Sequence, residues 1–348
     1  MRLEPRQHVP PLLGIGAPVA AALLALAICA VPLALAGANV GRAYQLMLTG
    51  SLGSRFALTE TLSRAAPLIL TGLAAAIAFR ARLWNIGAEG QLYMGALAAV
   101  AVGTGAVPVP GFLLLPLVLV AGAAAGALWM LGPTWLRVRL GVDEVVTTLL
   151  LNFVVLLFVG MMLEGPLQDP MSLGWPQSAP MLADATLPKL VEKTRLHFGL
   201  VIALAAAVVT WLVIQRTTFG FELRAVGANP EAARFAGMPE ARVMLKVGLF
   251  SGAMAGLAGV GEVAGLKGYL TQDLSPGYGY AGIVVATLAQ LGPLAVIVSA
   301  LFVAGVFVGA DSMSRALGVS SYIANLIVAT ALLTMLLAGL FTRYRISR

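Results

Sequence analysis

The sequence predicts an all-α polytopic membrane protein with about ten transmembrane helices, and three observations carry that expectation. Of its 348 residues, 59% are hydrophobic and 11% charged, where soluble domains carry roughly 25% charged residues. Mean hydropathy is +0.93, and the apolar residues gather into runs of about 20, the length that crosses a bilayer as a helix. The polar residues are correspondingly concentrated, above all in the stretch 215–246. The net charge of +7 fits Lys and Arg retained in cytoplasmic loops better than a nucleic-acid partner. A single cysteine, Cys29, excludes an intramolecular disulfide. His8 and His197 lie far apart in polar segments, so no metal site is expected.

The chain opens with a short polar leader carrying Arg2 and Arg6. The run 12–37 follows, and its Ala34-Leu35-Ala36 mimics a cleavage site. At about 25 residues it exceeds the 7–15 of a signal core and is long enough to span, so it reads as an uncleaved first helix. Further spans are expected at 61–79, 86–107, 112–131, 145–163, 198–214, 247–266, 278–291, 294–310 and 322–341. The eighth, about 14 residues, is short for a full crossing. With the N-terminus inside, the outer side receives Arg42, Arg55, Arg64, Lys189, Lys193, Arg195, Lys267 and Arg315, which leaves 14 of the 22 Lys and Arg on the cytoplasmic side. The positive-inside rule therefore puts both termini in the cytoplasm. The whole chain, 1–348, is expected to be one transmembrane domain. Its long external loop, 164–197, is broken up by Pro166, Pro170, Pro176, Pro180 and Pro188. That loop is either a docking surface for an external protein or a cap on the translocation mouth.

Two Gly-rich segments open helices at matching places. One is Asn85-Ile86-Gly87-Ala88-Glu89-Gly90-Gln91-Leu92-Tyr93, expected at the cytoplasmic start of span three. The other is Pro276-Gly277-Tyr278-Gly279-Tyr280, expected at the external start of span eight. An offset of five helices inverts the second copy, which suggests inverted repeats formed by spans two to five and seven to ten. Gly-interrupted segments in inverted halves point to a transport site. The expected pathway residues are Asn85, Gly87, Glu89, Gln91, Tyr93, Asn152, Tyr278 and Tyr280. A carboxylate such as Glu89 costs about 2.5–3.5 kcal/mol at the bilayer centre. It must face a polar cavity, pair with Arg80 or Arg82, or lie near the interface. Asp143 and Glu144 suit a helix start. Thr148 and Asn152 share a helical face, as pathway lining or interhelical glue. Gly252, Gly256, Gly259, Gly261 and Gly265 suit close packing, and Glu262 and Asp311 are expected at the interface.

The stretch 215–246 contains the signals of a short helix. Asn229 can cap it, Pro230 suits the first position, Glu231 favours the positive end of the dipole, and Gly237 can end it. About two turns are too few to stand alone in water, so this helix needs a partner surface. Its wording, Phe219-Gly220, Arg224-Ala225-Val226-Gly227-Ala228-Asn229, Ala232-Ala233 and Gly237, resembles the coupling loop of ABC importer permeases in the branch that serves branched-chain amino acids, ribose-type sugars and nucleosides. The segments 83–91 and 141–152 are similar to the nucleoside-permease branch, and the resemblance covers most of residues 60–345.

The resemblance implies a type II ABC importer permease in the bacterial inner membrane. It implies separate ATPase subunits that bind ATP and Mg, a second permease subunit of a different chain, and an extracytoplasmic binding protein. It also implies that Gly220, Arg224, Gly227, Asn229, Glu231, Ala232, Ala233, Phe235 and Gly237 form the ATPase contact. The chain itself has no P-loop, no His-Glu-x-x-His and no Gly-x-Ser-x-Gly, so it is expected to bind no cofactor and catalyse nothing. The substrate order is nucleoside or nucleobase, then simple sugar, then branched-chain amino acid. A secondary transporter is the rival class, since inverted repeats suit both.

Overall fold

The computed structural model describes residues 2–5 and 11–347, with side chains at residue 20 and at 23–338. In chain order the elements are β1 (Arg2–Pro5), α1 (Pro11–Leu35), α2 (Val40–Leu52), α3 (Arg55–Arg80), α4 (Ala88–Ala101), α5 (Gly111–Leu140), α6 (Glu144–Leu163), α7 (Gly199–Arg216), α8 (Thr218–Ala228), α9 (Pro230–Phe235), α10 (Glu240–Val260), α11 (Tyr278–Leu288), α12 (Pro293–Leu317), α13 (Ser321–Arg343) and β2 (Tyr344–Ser347). The two short strands pair antiparallel. A π-helical turn at Val102–Ala106, kinked at Gly105 with φ of 92°, follows α4, and another extends α10 through Gly261–Lys267.

Each of the ten expected spans coincides with a helix. Among the described residues, seven helices are long and apolar enough to cross a membrane, or eight if the bent pair formed by the end of α1 with α2 is one span. The count of ten crossings is not reached, because α4 and α11 have 14 and 11 residues. Two helices, α2 and α8, were not expected. The short α2 is capped by Asn39, whose side chain accepts from the Arg42 amide at 3.0 Å.

Residues 65–300 form one compact unit, and residues up to 64 with those from 301 onward form another. In the first, α4, α5 and α10 pack face to face through glycines. A methyl group at Gly256 would lie 2.3 Å from the Gly122 carbonyl oxygen, so only glycine allows the two backbones this close. In the second, Cys29 and Leu33 of α1, Ala43 of α2, Met313 of α12 and Ile327 of α13 form a buried cluster. Arg64 pairs with Asp311 at 2.5 Å there, so Asp311, expected at the interface, has a counter-ion.

Candidate functional site

The most heavily hydrogen-bonded place in the 65–300 unit is the start of α4. After α3 the chain turns back at Arg82, which has a left-handed φ of 56°, and residues 83–87 run into the interior before the helix begins. Asn85, fully buried, directs this. Its amide donates to Gln91 Oε1 and to Ser251 Oγ, each at 2.9 Å, while its oxygen accepts from Gly87 N at 2.9 Å and Gln91 Nε2 at 2.8 Å. Ser251 in turn donates to the Ala74 carbonyl at 2.7 Å. Ala74 lies six residues before the end of α3, so this network sits about 9 Å along that helix from Arg80.

The start of α11 lies at a similar depth. Gly277, with φ of 94°, turns the chain into the helix, and Thr71 Oγ1 donates to the Tyr278 carbonyl at 3.0 Å. Thr71 is nine residues, about 14 Å, from Arg80 along α3. The Gly279 amide donates to Glu89 Oε2 at 2.6 Å. A methyl group at Gly279 would come 2.2 Å from the Glu89 nitrogen, so the two helix starts touch. This corrects the expectation that the Gly-rich segments open on opposite sides of the membrane. Both helices are short, their leading segments dip inward from opposite directions, and the two N-termini meet inside.

The meeting explains Glu89. Two positive dipole ends face one another there, and a carboxylate between them offsets both. A charge-assisted hydrogen bond contributes about 1.5–3 kcal/mol and a partly buried dipole contact up to about 2 kcal/mol. Together these match the cost of about 2.5–3.5 kcal/mol for a charge at that depth. Arg80 and Arg82 are turned elsewhere, to the carbonyls of Leu291 at 2.9 Å and Ala228 at 3.0 Å.

Asn152 of α6 ties the junction together. Its oxygen accepts from Gly90 N at 2.9 Å, and its amide donates to the Ile86 carbonyl at 3.0 Å and to the Tyr280 hydroxyl at 3.1 Å. Neighbouring Thr148 receives the Ile86 amide at 3.3 Å. Tyr93 donates to the Gln272 carbonyl at 2.6 Å and accepts from Ser275 N at 3.2 Å. Of the expected pathway set, Asn85, Gly87, Glu89, Gln91, Tyr93, Asn152 and Tyr278 are therefore buried, whereas Tyr280 is 40% exposed. Ser251, Thr71 and Ser275 complete the network. Their sequence signal was weak, since a lone Ser or Thr in an apolar run resembles ordinary helix filler.

Asp143 caps α6, accepting from Val145 N at 2.8 Å. Glu144 is buried against Arg137 at 3.2 Å and accepts from the Trp84 amide at 3.3 Å. Glu262, expected at the interface, is 2% exposed in the π-turn of α10.

The polar stretch contains two helices. Thr217 caps α8, accepting from Gly220 N at 3.1 Å. Asn229 caps α9, accepting from the amides of Glu231 at 3.0 Å and Ala232 at 3.1 Å. Gly237 then leaves in the left-handed region, φ 80°. Gly220 and Gly227 press backbone to backbone, against Ile214 and Arg80 respectively, and Arg224 donates to the Ile214 carbonyl. Ala233 faces the protein, whereas Glu231, Ala232 and Arg234 are exposed and Phe235 is 97% exposed. Arg234 pairs with Glu240 at 2.6 Å.

The long connection between α6 and α7 lies across the π-turns. Leu182 N donates to Gly103 O at 2.9 Å, Leu187 N to Ala264 O at 2.8 Å and Lys189 Nζ to Gly265 O at 2.7 Å. The widened turns thus release carbonyls that this connection satisfies. His197, 1% exposed, accepts from Gly199 N at 3.1 Å through Nδ1. Its Nε2 has no partner among the described residues. Burial, reinforced by the Lys189 charge, lowers its pKa to about 4.

Residues 57–340 match the family described as branched-chain amino acid transport system permease component. The chain is 42% identical to a glucose ABC transporter permease protein of Haloferax volcanii, over 99% of this chain and 93% of that protein. It is 37% identical to a guanosine ABC transporter permease protein of Bacillus subtilis, over 91% of each. It is 32% identical to a nucleoside ABC transporter permease protein of Lactococcus lactis subsp. cremoris, over 78% of this chain and 77% of that protein. The chain therefore belongs to the branched-chain amino acid transport system permease family, as a multi-pass permease component of an ABC transporter.

Proposed function

We propose that this permease imports nucleosides, in a complex with two ATPase subunits, a second and different permease chain and an extracytoplasmic binding protein. Both termini lie in the cytoplasm, and ATP and Mg bind on the ATPases. The observation that carries the coupling role is Phe235, a large apolar side chain 97% exposed on a helix of six residues. A surface so placed needs cover, and a groove of the ATPase supplies it. Glu231, Ala232 and Arg234 flank the contact. Gly220, Arg224, Gly227, Asn229, Ala233 and Gly237 hold the segment in shape from within.

The pathway runs past the meeting of α4 and α11. Tyr280 contributes an aromatic face there, and its hydroxyl, already accepting from Asn152, keeps its own proton for a passing solute. Asn85, Gly87, Glu89, Gln91, Tyr93, Asn152 and Tyr278 fix the junction on which that ring stands. A neutral ligand with a flat ring and hydroxyls suits an aromatic face and a hydroxyl donor, and two relatives are named for guanosine and nucleosides. The relative named for glucose favours a second reading, a simple sugar. Closure of the ATPases around ATP displaces α9 and switches access from one side to the other.

The test is uptake by cells carrying the complete system, with labelled guanosine, glucose and leucine compared side by side. Guanosine uptake should depend on this chain and fall in Tyr280→Ala at unchanged protein level. Uptake of glucose alone would overturn the nucleoside reading and leave the sugar one.

A further inference from the structure

The unit formed by the two ends of the chain contains a cavity of about 290 Å³ that belongs neither to the junction nor to the coupling segment. It lies between α1, α2 and α12, with walls that include Leu26, Tyr44, Leu48, Leu52, Phe302 and Gly305. On α2 the lining residues recur at 44, 47, 48, 51 and 52, the spacing of one helical face. That face is not covered by protein, since Leu48 and Leu52 are 66% and 59% exposed.

The depth of the groove follows from α2 itself. The end of α1 and α2 are bent by 117°, and Tyr44 donates its hydroxyl to the Leu26 carbonyl. Leu26 is nine residues, about 13 Å, from the last residue of α1. The chain thus leaves a membrane-crossing helix, turns at Gly37 and folds back beside the last part of that helix, with the Tyr44 side chain reaching in to Leu26. The groove between them opens at bilayer depth.

Its polar atoms are spent. The Tyr44 hydroxyl is on Leu26, and Ser51 Oγ donates to the Met47 carbonyl of its own helix at 2.9 Å. What remains is a hydrocarbon wall. Of the exposed cations at the two ends of α2, Arg42 falls on the helix face opposite the lining residues, which leaves Arg55 at the other end. Arg55 opens α3 three residues beyond Leu52 and is exposed, whereas Arg64 on the same helix is occupied by Asp311. Moving an acyl chain from bilayer to groove gains little, because both are apolar. Selection therefore falls to the headgroup, and a cation selects an anionic one.

We propose that this groove holds an acyl chain of an anionic phospholipid, with the lipid phosphate on Arg55. One cationic side chain near an anionic headgroup corresponds to about a fivefold preference over a zwitterionic lipid.

The experiment uses the full transporter complex in nanodiscs of phosphatidylcholine with a minor share of phosphatidylglycerol, and lipids retained after transfer to detergent are measured by mass spectrometry. The wild type should retain phosphatidylglycerol about fivefold above its bulk share. Arg55→Gln should retain lipid without that preference. A side chain at Gly305 meets no atom within 4 Å at its first carbon, so Gly305→Phe should fold, fill the groove and lower retention of both lipids. Unchanged retention in Gly305→Phe, or a bulk ratio in the wild type, would overturn the proposal. A second measurement is independent of that variant's folding. A fluorophore at Leu48→Cys, with Cys29→Ser, should be quenched by phosphatidylglycerol brominated along its chain. Absence of quenching, or cross-linking of the Leu48→Cys thiol to the second permease subunit, would give the groove to protein instead.

Discussion

Replacing Asn152 by Leu leaves a side chain of similar size and removes three hydrogen bonds at once. Two of the groups it strands are backbone, Gly90 N–H and Ile86 C=O, at 2.9 and 3.0 Å from the amide. Each buried group left unpaired costs about 1–3 kcal/mol, so the loss should total about 2–6 kcal/mol. Tyr280→Phe removes only the third bond and should cost about 0.5–1.5 kcal/mol. Thermal unfolding of the purified complex, followed by tryptophan fluorescence, compares the two variants under one set of conditions. Asn152→Leu should melt well below Tyr280→Phe. Equal melting temperatures would refute the reasoning, since they would mean that water reaches Gly90 and Ile86 and the junction is wet.

At Glu89, Gln should lie within about 2 kcal/mol of wild type, because the lost charge-assisted bond is offset by the relieved burial of a charge. Glu89→Ala should be clearly less stable in the same melting assay, and equal damage from both would show that the charge itself is indispensable. Phe235→Asp and Ala232→Glu should weaken copurification of the ATPase at least tenfold without lowering the melting temperature of the permease. Ala233→Glu should lower that temperature, since Ala233 is buried; normal copurification in the first two would remove α9 from the interface. His197, held near pKa 4 when folded against 6.5 ordinarily, binds a proton more readily in the unfolded chain. Stability should therefore fall as pH drops from about 6.5 to 4, by up to about 3 kcal/mol, and His197→Gln should flatten that part of the melting-temperature profile. For topology, single cysteines at Leu173, 99% exposed, and Ser347 in a Cys29→Ser background should label from opposite sides of the membrane. Same-side labelling would overturn the placement of both termini inside.

Much of this was legible in sequence. Long apolar runs fixed the helices because bilayer thickness leaves few alternatives, and Asn229, Pro230 and Gly237 marked α9 because capping is local chemistry. Helix α2 escaped notice for a physical reason. Its 13 residues alternate an apolar stripe with Arg42, Gln45 and Thr49, which lowers its hydropathy below that of a span. The meeting of α4 and α11 was invisible because depth is not encoded in spacing. Two short helices give the same pattern whether each crosses the bilayer or both begin at its middle. The choice between Ala232 and Ala233 likewise needed the helix face, which six residues of mixed character do not define. The burial of Glu262 was not legible either, because the widened turn of α10 and the connection lying across it cover a helix end that spacing alone leaves open.

The short α11 has a mechanical meaning. Its 11 residues make a stiff strut about 16 Å long. One end abuts Glu89 through Gly279. Just beyond the other end, the Leu291 carbonyl is held by Arg80, whose own carbonyl is pressed against Gly227 of α8. Force applied to the capped segment at the surface thus has a route of few joints into the interior. On the coupling role proposed for α9, no long helix would need to bend, because the strut would tilt about the Glu89 contact as about a pivot. Its shortness, which costs it a full crossing, would then make it a connecting rod.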